Sequence, residues 1–198
     1  MNKIILASNN KGKIKEFREI LGDMDIELVP MREAGIDTDI DESGETFEEN
    51  SLIKARTICK MSGCITIADD SGLEVDYLGG EPGIYSARFM GHDTSYDIKN
   101  KAIIDKLKGV SGKDRSARFV AVIAAVFPDG RELTARGTME GVIGQEPRGE
   151  NGFGYDPILF LPEYNKSSAE LTSEEKNKIS HRGKALKTMK VKLAEELG

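Results

Sequence analysis

The sequence predicts an α/β fold built as a single domain, and three observations carry that expectation. Apolar runs of strand length (residues 3–8, 65–68 and 117–127) alternate with segments of helical periodicity (14–21, 46–61, 94–107 and 181 onward). The chain has 198 residues, enough for one well-buried core or a single domain with two lobes. No internal repeat, low-complexity stretch or linker divides it.

Taken in order, Lys3 to Ser8 reads as a central strand, Asn9 to Lys13 as a polar turn, and Ile14 to Leu21 as a helix. Ile14, Phe17 and Leu21 share one face of that helix. Ile26 to Val29 is a short strand ended by Pro30, followed by the acidic loop Asp37 to Gly44. Thr46 and Glu49 have capping-box spacing and open a helix to about Met61, with Gly63 as its stop. Ile65 to Ala68 is a buried strand with Asp69-Asp70-Ser71-Gly72 turning at its C-terminal end, and Leu73 to Asp76 a second strand with one wet face. Thr94 caps a helix to Leu107 that turns Ile98, Ala102, Ile103 and Leu107 inward. Ala117 to Phe127 is the strongest strand signal; Pro128-Asp129-Gly130 returns it onto Glu132 to Arg136, and Glu140 to Ile143 adds another strand. A short helical turn, Ser173 to Lys178, precedes a C-terminal helix burying Leu186, Met189, Leu193 and Leu197.

Composition narrows the function classes. The net charge of −6 argues against a protein that coats nucleic acid. The longest apolar run, Phe119 to Phe127, is too short for a membrane span, and the N-terminus carries no signal-peptide pattern, so cytoplasmic residence is expected. Cys59 and Cys64 fit no zinc or redox spacing and read as packing residues. Residues 23–50 carry eleven acidic side chains against Arg32 alone, whereas Lys166 to Lys192 carries eight Lys/Arg against three Glu. Acid in the middle and base at the ends suit a site holding a metal and an anionic ligand together, although a solvated surface gives a similar count.

Three stretches carry chemistry. Ser8-Asn9-Asn10-Lys11-Gly12-Lys13, between a strand and a helix start, offers free N–H groups, a glycine and lysines to a phosphate. It lacks the spacing of a Walker A loop, and a capped surface helix fits the same residues. Asp69 and Asp70 alternate in direction, so one carboxylate faces a site while the other braces it or points away; a solvated Asp-Ser-Gly turn is the competing reading. Gly149 to Pro157 interleaves glycines with Phe153 and Tyr155 and ends on Asp156, which suits a flat ligand: rings to stack and a carboxylate to accept from a ring N–H. Lys176, His181 and Arg182 add donors near the start of the last helix.

Six motifs in this order, spread over almost the whole chain, resemble the inosine triphosphate pyrophosphatase family (Ham1/RdgB-like) of non-canonical purine nucleoside triphosphate pyrophosphatases. They are Ser8 to Lys13; Gly44-x-Thr46-Phe47-x-Glu49-Asn50 with Lys54-Ala55; Ala68-Asp69-Asp70-Ser71-Gly72-Leu73; Pro82-Gly83-x-Tyr85-Ser86-Ala87-Arg88; Gly152 to Pro157; and Lys176 with Ile179-Ser180-His181-Arg182. The resemblance implies an elongated mixed β-sheet with flanking helices in two lobes around a central cleft, and a homodimer. It also implies Mg²⁺-dependent hydrolysis of ITP, dITP and XTP to the monophosphate and pyrophosphate. Carried over by position, Ser8, Asn9, Asn10, Lys11, Gly12 and Lys13 hold phosphate with Lys54, Asp70 is the catalytic base and a magnesium ligand, and Ser71 touches substrate. Phe153, Gly154, Tyr155 and Asp156 receive base and sugar, with Lys176, His181 and Arg182 completing base recognition.

Two positions depart from the family pattern. Asp41 stands where relatives often carry a glutamate that binds magnesium, so either Asp41 or Glu42 completes the metal shell; Asn151 replaces a common glycine. A Maf-type pyrophosphatase is the nearest alternative enzyme, but Ser8 to Lys13 lacks its Ser-x-Ser-Pro-Arg-Arg pattern. A non-catalytic nucleotide-binding module would be favoured by loss of the carboxylates, and both are present.

Overall fold

The computed structural model describes residues 2–198. Its strands are β1 (Asn2–Leu6), β2 (Ile26–Pro30), β3 (Ile65–Val75), β4 (Ser116–Val126), β5 (Glu132–Ile143), β6 (Leu159–Leu161) and β7 (Lys166–Ser167). They form one mixed sheet in the order β2-β1-β3-β4-β5-β6-β7. β1 is parallel to both β2 and β3, while β6 is antiparallel to β5 and β7. The helices are α1 (Lys11–Leu21), α2 (Phe47–Ser62), α3 (Tyr96–Lys106), α4 (Ser173–Ile179) and α5 (His181–Leu197).

Two compact units share the long strands. One comprises the chain up to Asp70, Ala121–Gly137 and Arg182–Gly198; the other comprises Ser71–Val120 and Thr138–His181. In the first unit strand alternation sends β4 side chains to two cores. Ala121, Ile123 and Ala125 pack with Phe17 and Leu21 of α1 and Leu186, Met189 and Leu193 of α5, while Ala124 and Val126 pack with Ala55, Ile58 and Cys59 of α2. In the second unit Leu73, Val75, Ile103, Leu107, Phe119, Tyr155 and Leu159 form the core.

Four elements differ from the sequence-based expectation. Asp69 to Gly72 is not a turn: β3 runs straight through it, with Leu73 and Val75 buried beyond. Likewise β5 does not stop at Arg136, because alternate burial at Ala135, Gly137 and Met139 carries one strand to Ile143. α1 begins at Lys11 rather than Ile14, since the Lys13 N–H donates to Asn10 Oδ1 (3.0 Å) and makes Asn10 the N-cap. Thr94 does not cap α3: its hydroxyl donates to the Met90 carbonyl (2.7 Å), and Ser95 takes the cap position. The resulting phase leaves Ile98 54% exposed and buries Lys99 and Asn100 instead. The Lys99 ammonium donates to the Ala87 carbonyl (2.7 Å), which satisfies the buried charge.

The predicted caps of α2 are present. Glu49 N–H donates to Thr46 Oγ1 (3.1 Å), and Gly63 adopts the left-handed conformation (φ 66°) with its N–H on the Cys59 carbonyl. No helix is long and apolar enough to cross a membrane among the described residues.

Candidate active site

In the first unit β3 outruns its partner. Leu6, the last residue of β1, pairs with Ile67, so Asp69 and Asp70 extend past the carboxyl end of β1, where an α/β sheet collects ligands. The chain leaves β1 there as Ala7 to Asn10, with Ser8 Oγ accepting from the Asn10 N–H (3.2 Å). Lys11, Gly12 and Lys13 then form the first turn of α1, whose N–H groups lack intrahelical partners. Asn9, Asn10 and Lys11 are exposed.

Asp69 and Asp70 are adjacent on an extended strand and therefore face opposite sides of it. Asp70 meets α2: Lys54 Nζ donates to Asp70 Oδ1 (2.8 Å) and to Glu42 Oε2 (3.2 Å), so two carboxylates share one buried ammonium. Among the described residues, Asp70 Oδ2 is buried with no hydrogen-bond partner. Burial pushes the Asp70 carboxyl up to about 6, against the opposing pull of Lys54 and Lys13 and with help from Glu42. Burial works against charge on Lys54 too, but Asp70 and Glu42 overcome it and hold its pKa above the ordinary value.

Asp69 meets α1 and α5. Arg182 Nε donates to Asp69 Oδ2 (2.9 Å), Lys13 forms an ion pair with Asp69 Oδ1, and Arg182 Nη1 donates to Glu16 Oε2 (2.5 Å). Burial alone would raise the Asp69 pKa; Arg182 and Lys13 reverse that and hold it far below the usual carboxylate range. Desolvation lowers the Lys13 pKa despite Asp69.

Glu42, rather than Asp41, is the acid beside Lys54 and Asp70; Asp41 is exposed. The local cause is Asn50, fully buried on α2, whose Oδ1 accepts from the Gly44 N–H (2.9 Å) and fastens the end of the acidic loop. Gly44 has to be glycine, since a Cβ there would lie 2.7 Å from Glu49 Cβ and 2.8 Å from Asn50 Oδ1.

A second polar cluster lies in the other unit, centred on Asp156. Its Oδ2 accepts from the Phe153 N–H (2.8 Å) and Lys176 Nζ (2.7 Å), and its Oδ1 from the Ser168 hydroxyl (2.7 Å). Lys176 Nζ also stands 5.0 Å from the Phe153 ring centroid. Gly152 (φ 76°) lets the loop close, because a Cβ there would meet Asp156 Oδ2 at 2.1 Å. The Asn100 amide donates to the Gly154 carbonyl (3.2 Å). Tyr155 is a core residue: its hydroxyl donates to the Ser86 carbonyl (2.8 Å) and its ring packs edge-on to Tyr96. Phe153 is thus the half-buried ring of this loop. His181 packs against Phe119, with ring centroids 5.0 Å apart. Ser71 opens this unit on β3, half-buried and next to Asp70.

The Arg182 guanidinium goes to Asp69 and Glu16. Glu16, Asn50, Asn100 and Ser168 were not singled out as site residues from the sequence. Glu16 stands three residues after Lys13, a spacing that puts both on one face of α1 and was the available signal.

A model of the Ham1 family matches residues 4–192. The chain belongs to the Ham1 family. A dITP/XTP pyrophosphatase of Clostridium perfringens is 50% identical over 196 residues, covering 96% of each chain. The dITP/XTP pyrophosphatase of Bacillus subtilis is 46% identical over 189 residues, again 96% of both. Among solved structures, a HAM1 protein from Coxiella burnetii superposes with a TM-score of 0.90 at 42% identity, covering 98% of this chain and 100% of that one. The Staphylococcus aureus Ham1 protein gives 0.88 at 42% identity with the same coverage. The mixed seven-stranded sheet with five helices is therefore the Ham1 fold.

Proposed function

We propose that this Ham1 protein hydrolyses non-canonical purine nucleoside triphosphates (dITP, ITP and XTP) to the monophosphate and pyrophosphate, and so cleanses the nucleotide pool. The observation that carries the reading is the group of buried Asp70 and Lys54 with half-buried Glu42 past the end of β1, in a chain about half identical to a dITP/XTP pyrophosphatase.

The residues divide the work as follows. Ser8 to Lys13 hold the phosphates with polar side chains, the N–H groups that the Ser8 and Asn10 side chains leave open, and the Lys13 charge. Lys54 keeps its proton and adds a fixed positive charge against them. Asp70 orients the attacking water and takes its proton as general base. Asp70 and Glu42 are oxygen donors suited to Mg²⁺, which is commonly held by one or two carboxylates together with substrate phosphates, and the bare Oδ2 of Asp70 fits that use. When bound, Mg²⁺ supplies neutralisation of charge on the phosphate oxygens.

Phe153 stacks on the base, and Lys176, oriented by Asp156, donates to the 6-keto oxygen with His181 beside it. Adenine's 6-amino group would leave that donor unpaired, a mismatch that produces large discrimination. Ser71 and Gly154 shape the sugar contact, and Tyr155 supports the loop from the core through its hydrogen bond to Ser86. The two units work as one domain, and the protein works as a cytoplasmic homodimer; light scattering on the eluted peak tests the dimer.

The deciding experiment follows product and base together. With Mg²⁺, the purified protein should release pyrophosphate from dITP, ITP or XTP far faster than from ATP or GTP. Orthophosphate as the first product, or equal rates on ATP, overturns the reading.

A further inference from the structure

We propose that Glu16 is a positioning residue for the phosphate site, acting through Arg182 and Asp69 on the Lys13 ammonium. The four side chains form a circuit within one unit. Helix α1 supplies both ends, Lys13 and Glu16, one turn apart; β3 supplies Asp69, and the first turn of α5 supplies Arg182. Glu16 Oε2 accepts from Arg182 Nη1 (2.5 Å), Arg182 reaches the two Asp69 oxygens through Nε (2.9 Å) and Nη2 (3.5 Å), and Asp69 Oδ1 pairs with Lys13.

Charge and burial give the circuit its purpose. Two cations and two carboxylates balance, and Glu16, Asp69 and Arg182 are each more than nine-tenths buried. Lys13 is the most accessible of the four, with 17% of its side chain exposed against 10% for Glu16, 2% for Arg182 and none for Asp69. The buried three therefore act as a mount and Lys13 as the part that a phosphate reaches. Without the Glu16 charge, Arg182 draws harder on Asp69, and the Asp69 oxygen that holds Lys13 is the one that must yield. A carboxylate placed only for solubility would be exposed on a helix this short; this one is 8% exposed.

Only the activity arm of the test rests on the function proposed above. In the nucleotide-free protein, nitrogen NMR signals of the Lys13 ammonium and Arg182 Nε report the circuit directly, and Glu16→Gln should shift both in a protein that thermal melting shows to be folded. In turnover, Glu16→Gln should lower kcat/KM for XTP about 10–100-fold, the usual loss when the group orienting a ligand is removed. Made in a Lys13→Ala background, the same change should add little, because Lys13 is the route by which Glu16 acts. An unmoved Lys13 signal, or losses from the two substitutions that multiply, overturns the proposal. Should Glu16→Gln fail to fold, Glu16→Asp keeps the charge on a shorter stem and carries the same test with a smaller shift; an unmoved Lys13 signal there overturns it equally. Shifted signals in a wild-type protein that releases pyrophosphate from no purine nucleotide would uphold the circuit and sink the functional reading instead.

Discussion

At the scale of single residues, adjacent aspartates divide two tasks because a strand points them apart. Both Asp69 oxygens are paired, with Arg182 and Lys13 among the partners, whereas Asp70 keeps one buried oxygen without a hydrogen-bond partner among the described residues. Only the second is equipped for chemistry. Asp70→Asn should therefore reduce the rate of pyrophosphate release about 10²–10⁴-fold, the usual share of a general base, while nucleotide still binds. Steady-state kinetics with a binding titration checks it, and near-normal turnover would move the base elsewhere. The asymmetry was half legible: alternation foretold that the two carboxylates diverge, but not which partners each meets. Those partners are remote in sequence, with Arg182 lying 113 positions from Asp69 and 166 from Glu16. No local pattern encodes such a pairing, so the partners of the Arg182 guanidinium are visible only in the fold.

At the scale of elements, features fixed by a few adjacent residues were readable and features fixed by sheet pairing were not. Thr46 and Gly63 bound α2 as their chemistry dictates, because a hydroxyl cap and a left-handed glycine act within one turn. Ser71-Gly72 looks like a turn in isolation, yet β3 continues past the end of β1, with β4 as its other neighbour in the sheet. Gly44 and Gly63 permit a controlled comparison at the two ends of α2. Gly44→Ala forces a Cβ against Glu49 and Asn50 and displaces the segment that carries Glu42, so the Mg²⁺ concentration for half-maximal activity should rise several-fold. Gly63→Ala meets no atom within 4 Å but keeps φ at 66°, so it should lower unfolding stability by about 1 kcal/mol and leave the Mg²⁺ requirement unchanged. A Mg²⁺ titration and a urea melt of each variant separate the effects; a normal titration for Gly44→Ala would detach the loop from metal binding.

At the scale of the whole molecule, the buried charge cluster around Asp69 shapes stability against pH. The folded pKa of Asp69 lies far below its unfolded value of about 4, so its contribution is fully present above that pH and is lost as pH falls further. Below about pH 4 the unfolded chain binds a proton that the folded state refuses, and folding weakens by up to about 1.4 kcal/mol per pH unit from this group alone. Asp69→Asn removes that slope. The variant should be less stable than the wild type at pH 7, since breaking a buried ion pair leaves charge that water no longer solvates. The gap should then narrow as pH drops from about 4 toward 2, because only the wild type continues to lose this contribution. Urea unfolding of both proteins at several pH values measures the gap, and a constant difference between pH 6 and 3 would mean that Asp69 titrates alike in both states, contrary to its place between Arg182 and Lys13.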